Sequence, residues 1–346
     1  MGKKIIQLIN EFGIPRIIIV SFLITLLIMA FILNIPILEL MSASLVRLGM
    51  HGTLVLAMVP AITSGIGLNF GLPLGIICGL VGVLISIEYN LRGFTALFIA
   101  IITTIPIAAI VGYGYGLLLN KVKGSEMTVG TYVGFSAVSI GCIGWLILPF
   151  KSPEAVWPIG GGLRVTISLA NRLDKVLNNF LSIEIGNLTI PTGSLMFLIL
   201  LALIVWLFSR SKAGIAMKTV GDNPRFAVAS GLNVNTYRII GTTLSTILGA
   251  IGIIVYAQSF GFLQLYTAPM FMGFTSVAAI LIGGATVKKA SIIHVFIGTF
   301  LFQSILVVAL PVANKIMVTG DLAEISRITI SNGIILYALT QIKERA

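Results

Sequence analysis

The chain is a succession of apolar runs too long and too unbroken for a water-soluble fold. Segments at roughly 14–37, 44–62, 71–88, 94–119, 130–149, 193–209, 238–259, 271–287, 291–311 and 325–341 are each long enough to cross the ~30 Å hydrocarbon core of a bilayer as a helix. Lipid offers the backbone no hydrogen-bond partners, so a spanning segment must be a helix or part of a closed barrel. Runs of this length without strict alternation predict helices. The expected fold is therefore all-α: a polytopic transmembrane bundle of about ten spans, forming one domain over 1–346. Charged residues are only 10% of the chain, against about 25% in soluble domains. A net charge of +11 in a soluble protein would suggest nucleic acid. Here most of the 22 Lys and Arg fall between the apolar runs, where membrane topology and anionic lipid headgroups account for them. No nucleic-acid partner is expected.

The bias of basic residues orients the chain. Ten crossings from a cytoplasmic N-terminus put Lys3, Lys4, Arg16, Lys121, Lys123, Arg210, Lys212, Lys218, Arg225, Arg238, Lys288, Lys289, Lys343 and Arg345 inside. Arg47, Arg92, Lys151, Arg164, Arg172, Lys175, Lys315 and Arg327 fall outside. Four of those eight lie in the 150–192 loop, and long loops weigh little in orientation. The sequence thus predicts both termini in the cytoplasm. The run from Ile14 to Ile37 is too long for a signal-peptide core and has no small-residue cleavage site, so it is expected as the first span.

Two stretches interrupt the hydrophobic pattern without being simple turns. Ser64-Gly65-Ile66-Gly67-Leu68-Asn69-Phe70-Gly71-Leu72-Pro73 breaks the chain between the second and third spans. It reads either as a glycine-rich turn at the cytoplasmic end or as a helix break at membrane depth, where freed backbone groups need protein or a water-filled cavity. The expected extracytoplasmic loop 150–192 carries Trp157-Pro158, Gly160-Gly161-Gly162 and the β-prone Leu188-Thr189-Ile190. At this length it holds structure of its own, either as a docking surface or as a cap over the bundle.

Motifs of chemistry are missing. No G-x-x-x-x-G-K-[ST] loop or H-E-x-x-H pair occurs, so no catalytic residue, cofactor or metal is expected in this chain. Cys78 and Cys142 sit in apolar segments and read as small buried hydrophobes. His294, beside Lys288 and Lys289, reads as an interfacial or bundle-facing residue rather than a proton relay. Gly112-Tyr113-Gly114-Tyr115-Gly116 lies within a span and reads as close helix packing. No charge deep in a span has an evident charged partner, which argues against an ion-coupled transporter.

Residues 210–237 form the one folded-looking polar island. Lys212, Lys218 and Arg225 place it in the cytoplasm. Asp222 or Asn223 caps a short helix, Pro224 suits its first turn, and Gly231 terminates it. A helix of about two turns cannot span a membrane. It is a handle, or else it lies on the bilayer surface, for which its few charges are weak anchors.

The run Gly221-Asp222-Asn223-Pro224-Arg225-Phe226-Ala227-Val228-Ala229-Ser230-Gly231-Leu232-Asn233-Val234 resembles the coupling segment of ABC-importer permeases. The likeness is to the ribose-type (carbohydrate uptake class 2) branch. It extends to Leu248-Gly249-Ala250 and Ile282-Gly283-Gly284-Ala285, and loosely to 64–71, where Gly67 replaces the family's Asp and Asn69 its Ser. The resemblance implies a permease subunit in a bacterial inner membrane, carrying a simple sugar or small polyol. It implies partners as well: a cytoplasmic ABC ATPase holding ATP and Mg, a second permease subunit, identical or paralogous, and an extracytoplasmic solute-binding protein. The expected coupling residues are Gly221, Asp222, Asn223, Pro224, Phe226, Ala227, Ser230 and Gly231. Nucleoside uptake is the alternative within the family. An ion-coupled secondary transporter or a channel are the alternatives outside it.

A sugar path needs neutral hydrogen-bonding groups. Asn69, Thr103, Thr104, Ser136, Ser139, Gln258, Thr275 and Gln303 have that chemistry within spans. Hydroxyls usually bond their own backbone. Asn69 and Gln303, whose amides need partners on two sides, are therefore the expected path residues.

Overall fold

The computed structural model describes residues 14–266, 268–316 and 320–344. Lys3, Lys4 and Arg345 lie outside the described residues, and so do the side chains of Arg327 and Lys343. The spanning helices are α1 (Ile14–Ile32), α2 (Ile37–Leu56) continued by α3 (Met58–Thr63), α4 (Leu72–Glu88), α5 (Gly93–Lys121) and α6 (Glu126–Ile147). A folded connection holds β1 (Thr166–Ser168), α7 (Val176–Asn179), β2 (Ile183–Ile185) and β3 (Leu188–Ile190). Then come α8 (Thr192–Arg210), α9 (Lys212–Asp222), α10 (Pro224–Ala229), α11 (Val234–Phe260), β4 (Phe262–Gln264), α12 (Ala268–Ile282), α13 (Ile292–Ile316) and α14 (Gly320–Glu344). With α2 and α3 taken as one crossing, every expected span has its helix. Among the described residues six are long and apolar enough to cross a membrane by length and composition, Ile37–Thr63 among them, and the shorter apolar ones are Arg16–Ile32, Leu72–Glu88, Pro269–Ile282 and Ile328–Thr340.

The largest boundary difference from the sequence reading lies between the first two spans. The first helix stops at Ile32 and the second begins at Ile37, not near 44. Asn34 turns the chain with φ 54° and Pro36 starts the next helix. The polar residues that lowered hydropathy here are absorbed locally, for Ser42 Oγ donates to the Leu38 carbonyl and Ser44 Oγ to that of Leu40. Arg47 is therefore not in an outer connection. It lies ten residues into α2, about 15 Å along the helix at 1.5 Å per residue.

Small residues let the central helices approach. α4 carries Gly75, Gly79 and Gly82, and a Cβ on any of them would overlap a backbone carbonyl of α11 or α5: Thr246, Ala250 or Ala100 respectively. Across α5 and α11, Gly112 faces the Thr243 Cα and Gly116 the Ile239 Cα, each within 3.0 Å of an added Cβ. This is the small-residue packing that lipid-embedded helices use in place of a hydrophobic driving force. Gly114 of the same motif faces open space.

The two ends of the bundle are built differently. At the end carrying 150–192, β1 pairs antiparallel with β4 and β2 with β3. Leu163, Ile167, Leu169 and Leu173 are buried beneath, so the connection is a folded cap. Arg172 braces it, donating from Nε to Glu154 Oε2 at 2.5 Å and from Nη2 to Oε1 at 3.0 Å. The cap also leaves an apolar edge exposed, Trp157 and Ile159 at 48% and 94%, which keeps both readings of this loop open. The opposite end carries α9 and α10 and is called the handle end below.

Candidate functional site

The polar island folds as two short helices rather than one. Ser211 caps α9, its Oγ accepting from the Gly214 N–H at 3.2 Å. Asn223 caps α10, its Oδ1 accepting from the Phe226 N–H at 3.1 Å. Of the two cap candidates Asn223 serves, and Asp222 is the last residue of α9. Pro224 is the first residue of α10, where its missing N–H costs nothing. Ser230 follows the helix and Gly231 turns the chain at φ 79°. Ala227 is buried, while Phe226 and Val228 are 60% and 63% exposed. Helix α10 thus presents apolar side chains outward from a rigid, twice-capped base.

The base is wedged against the break that follows α3. A Cβ on Gly221 would overlap the Thr63 carbonyl oxygen, and one on Gly65 would lie 3.0 Å from the Gly221 Cα. Gly65 and Gly67 adopt φ 79° and 89°, conformations only glycine takes without strain. The break lies at the handle end but is roofed by protein: Ser64, Leu68 and Asn69 are buried. Neither reading of 64–73 describes it fully. It is a terminal turn in position and a protein-enclosed break in environment.

Asn69 is the hub of that turn. Its Nδ2 donates to Ser245 Oγ at 2.8 Å, and its Oδ1 accepts from the Gly71 N–H at 3.0 Å and from the Tyr115 hydroxyl at 3.2 Å. Its amide has partners on both sides. Gln303 is equally buried, but its Oε1 has no partner among the described residues, and neither do Thr299 Oγ1 and Ser304 Oγ on the same helix nor Thr53 Oγ1 of α2, along which α13 packs. Among the other expected path groups, Thr103, Ser139 and Thr275 bond carbonyls of their own helices. Thr104 reaches the Cys78 carbonyl, and Gln258 joins Asn178 and Ser259. Ser136 borders a shallow groove with Leu74 and Tyr132.

A buried ion pair ties the break to the rest of the handle end. Arg238, in the first turns of α11, donates from Nη2 to Glu126 Oε1 at 2.5 Å, from Nε to Asn120 Oδ1 at 3.0 Å and from Nη1 to the Gly65 carbonyl at 3.4 Å. The side chains of Arg238 and Glu126 are only 9% and 13% exposed. One guanidinium therefore joins α11, the end of α5, the start of α6 and the turn on which Gly221 rests. The sequence reading counted Arg238 only as a charge on the cytoplasmic side, at the start of a span, and did not foresee its burial or its partners.

A second constellation also escaped the sequence. Arg47 lies one helical turn from His51, near mid-depth of the Ile37–Thr63 span, and both are half-buried. His51 meets Tyr256 edge-on at 5.3 Å, Tyr256 stacks on Phe260 at 5.7 Å, and Phe260 contacts Phe262 at 5.9 Å. These rings run from mid-depth to the capped end. The sequence reading had counted Arg47 among the residues outside the membrane, and the structure places it within the span. Intramembrane ionisable residues face a bundle interior or a water-filled cavity and mark functional positions. Among the described residues, no group of three His, Cys, Asp or Glu is placed to hold a metal ion.

The chain that builds this bundle has counterparts among known sequences. The profile of the family described as "Branched-chain amino acid transport system / permease component" matches residues 13–330. The chain belongs to this family of permeases. Members are the translocation components of transport systems, not enzymes. Its relatives include the "Nucleoside ABC transporter permease protein NupC" of Lactococcus lactis, 34% identical over 86 residues, which are 25% of this chain and 27% of the relative. The "Autoinducer 2 import system permease protein LsrC" of Escherichia coli is 24% identical over 252 residues, 71% of this chain and 62% of the relative. A "Tyrosine transport system permease protein" of Clostridioides difficile is 24% identical over 172 residues, 48% and 56%. The permease thus spans less than two thirds of the length of each. No solved structure matches it.

Proposed function

We propose that this permease is the membrane subunit of an ABC importer, carrying a simple sugar or related small polyol into a bacterial cell. The observation that carries the reading is the seating of Gly221 on Thr63 and Gly65. It joins an exposed two-helix handle, backbone to backbone, to a break in the spanning helices. Phe226 and Val228 suit the groove of a cytoplasmic ABC ATPase, in the helix-in-groove manner. That ATPase would hold the ATP and Mg, and its closure would push the handle against 63–65. Arg238 would pass the movement to α5 and α6. Rocking of bundles about a central site is the general form of alternating access.

The coupling residues in this reading are Gly221, Asp222, Asn223, Pro224, Phe226, Ala227, Ser230 and Gly231. Asp222, no longer a cap, keeps a place on the exposed surface beside Asn223. Lys121, Lys123, Lys212, Lys218 and Arg225 at the handle end support a cytoplasmic handle and cytoplasmic termini. A second permease copy or paralogue would complete the path. An extracytoplasmic binding protein would dock on the 150–192 cap, whose exposed Trp157 and Ile159 offer an apolar contact. Gln303, with an amide oxygen still to satisfy, and Arg47 are the better-supported path residues. Asn69 shapes the turn behind them.

The stretch shared with the nucleoside permease favours a second reading, nucleoside uptake, with the same machinery. The test is reconstitution with a candidate ABC ATPase and solute-binding protein from the same cell, comparing uptake of a pentose, a nucleoside and tyrosine. ATP-dependent pentose uptake supports the sugar reading, and nucleoside uptake alone replaces it. Uptake driven by an ion gradient without the ATPase would sink both.

A further inference from the structure

A groove of about 800 Å³ opens where α8 meets α9, walled also by α3 and the start of α13. Its walls are apolar, with Ile199, Leu203, Trp206 and Phe296 among them, while Arg210 and Lys218 lie at its handle end and no acidic residue lines it among the described residues. Ile199, Leu203 and Trp206 are 55%, 48% and 40% exposed, so the groove faces sideways into the bilayer. From Ile199 to Arg210 is eleven residues of helix, about 16 Å at 1.5 Å per residue. That is half of a ~30 Å hydrocarbon core, the depth of one leaflet. The Arg210 guanidinium lies 4.4 Å from the centre of the Trp206 ring, a cation–π contact at the level where Trp and Arg mark a membrane interface.

We propose that this groove binds an anionic phospholipid of the handle-end leaflet. The acyl chains lie along Ile199, Leu203 and Phe296, and the phosphate sits between Arg210 and Lys218. Charge and depth together select this occupant. A soluble anion would leave the leaflet-deep apolar trough empty, and a zwitterionic lipid would leave the uncompensated cations unmatched. A second protein helix would have to enter beside two cations with nothing acidic opposite. One wall is α9 itself, through Gly214, Met217 and Lys218, so a bound lipid bridges the bundle and the handle across the bend at Ser211. The inference does not depend on what the handle grips.

The test uses the full chain, purified in detergent and examined by native mass spectrometry with phosphatidylglycerol or phosphatidylcholine. The expected result is retention of phosphatidylglycerol roughly thirtyfold better, as two basic contacts of about 1 kcal/mol each imply. The preference should fall to near parity in an Arg210→Gln/Lys218→Gln double variant, in which both replaced side chains are exposed. A photoreactive phosphatidylglycerol should label 199–218. Equal retention of both lipids, an unchanged preference in the double variant, or labelling confined elsewhere would overturn the proposal. Displacement by glycerol phosphate, which has no chains, would mean a soluble anion site instead.

Discussion

Gly65 and Gly221 meet with no side chain between them: a Cβ added to Gly65 would lie 3.0 Å from the Gly221 Cα, and one added to Gly221 would overlap the Thr63 carbonyl. Two glycines 156 positions apart in the sequence are thus a single contact, joining the handle to the break after α3. Tolerance at this point is close to nil, because the groups in the way are backbone and cannot rotate aside.

Gly221→Val should therefore displace α9 from the break while the spans stay inserted. Coupled transport, and stimulation of the partner ATPase, should fall at least tenfold in proteoliposomes. Asn223→Ala should be milder: it removes one cap bond, worth about 1 kcal/mol, and loosens α10 without moving its base. Wild-type coupling in Gly221→Val would take this contact out of the mechanism.

The Arg238–Glu126 pair gives a stability prediction with a built-in control. Removing one partner of a buried pair leaves an uncompensated charge and costs about 3–5 kcal/mol. Arg238→Met and Glu126→Gln should each lower the unfolding midpoint in detergent. The double variant should recover part of the loss, since replacing a whole buried pair by neutral groups is often nearly neutral. Strictly additive losses would show that the two side chains act independently.

What the sequence revealed and what it hid divide along local and non-local lines. The spans were legible because each carries its own hydropathy. Asn223-Pro224 and Gly231 were legible because a cap and a terminator act within a few residues of themselves. The start of α2 was not, since Ser42 and Ser44 look polar in a sequence yet bond their own helix. That error of seven residues moved Arg47 out of the membrane. An unbroken low-charge stretch following Pro36 was the signal available for it. The burial of Arg238 had no local signal at all: Asn120, Glu126 and Gly65 approach it from distant parts of the chain. The same holds for Asn69, whose partners Ser245 and Tyr115 only the fold supplies.

The cap should depend on pH through Glu154. The hydrogen bond from Arg172, and its charge, hold the Glu154 carboxyl below the usual carboxylate range. A group with a depressed folded pKa contributes stability above its unfolded value and loses it as pH falls through the folded one. Protease cleavage within 150–192 should thus be slow at neutral pH and accelerate as the solution is acidified below the ordinary carboxylate range. Glu154→Gln should cleave at the faster rate throughout. A flat profile in the wild-type chain would mean that the Arg172 brace does not hold the cap.

Topology is checked with single cysteines in a background lacking Cys78 and Cys142. Ser211→Cys and Ala170→Cys both place the thiol on exposed residues, separated by one crossing of α8. The first should react only with a reagent admitted to the cytoplasm, and the second only from outside. Reaction of both from one side would contradict α8 as a span, and the reverse pattern would invert the proposed orientation.

The path itself is tested where the structure separates two kinds of buried polar group. Asn69 spends its amide on Ser245, Gly71 and Tyr115, so Asn69→Leu should disturb the turn and lower stability along with transport. Gln303 leaves its Oε1 unpartnered among the described residues. An unsatisfied buried acceptor costs about 1–3 kcal/mol, so Gln303→Leu should leave stability unchanged or raise it. If Gln303 waits for water or solute, the same variant should slow uptake severalfold with basal ATP hydrolysis and binding-protein docking intact. Arg47→Leu should behave similarly but more strongly, because ionisable residues at mid-depth characteristically mark substrate pathways. Uptake and thermal stability measured together decide the matter. Normal uptake in both Gln303→Leu and Arg47→Leu would place the path elsewhere, whereas slow uptake with undiminished stability would mark these two residues as part of its lining.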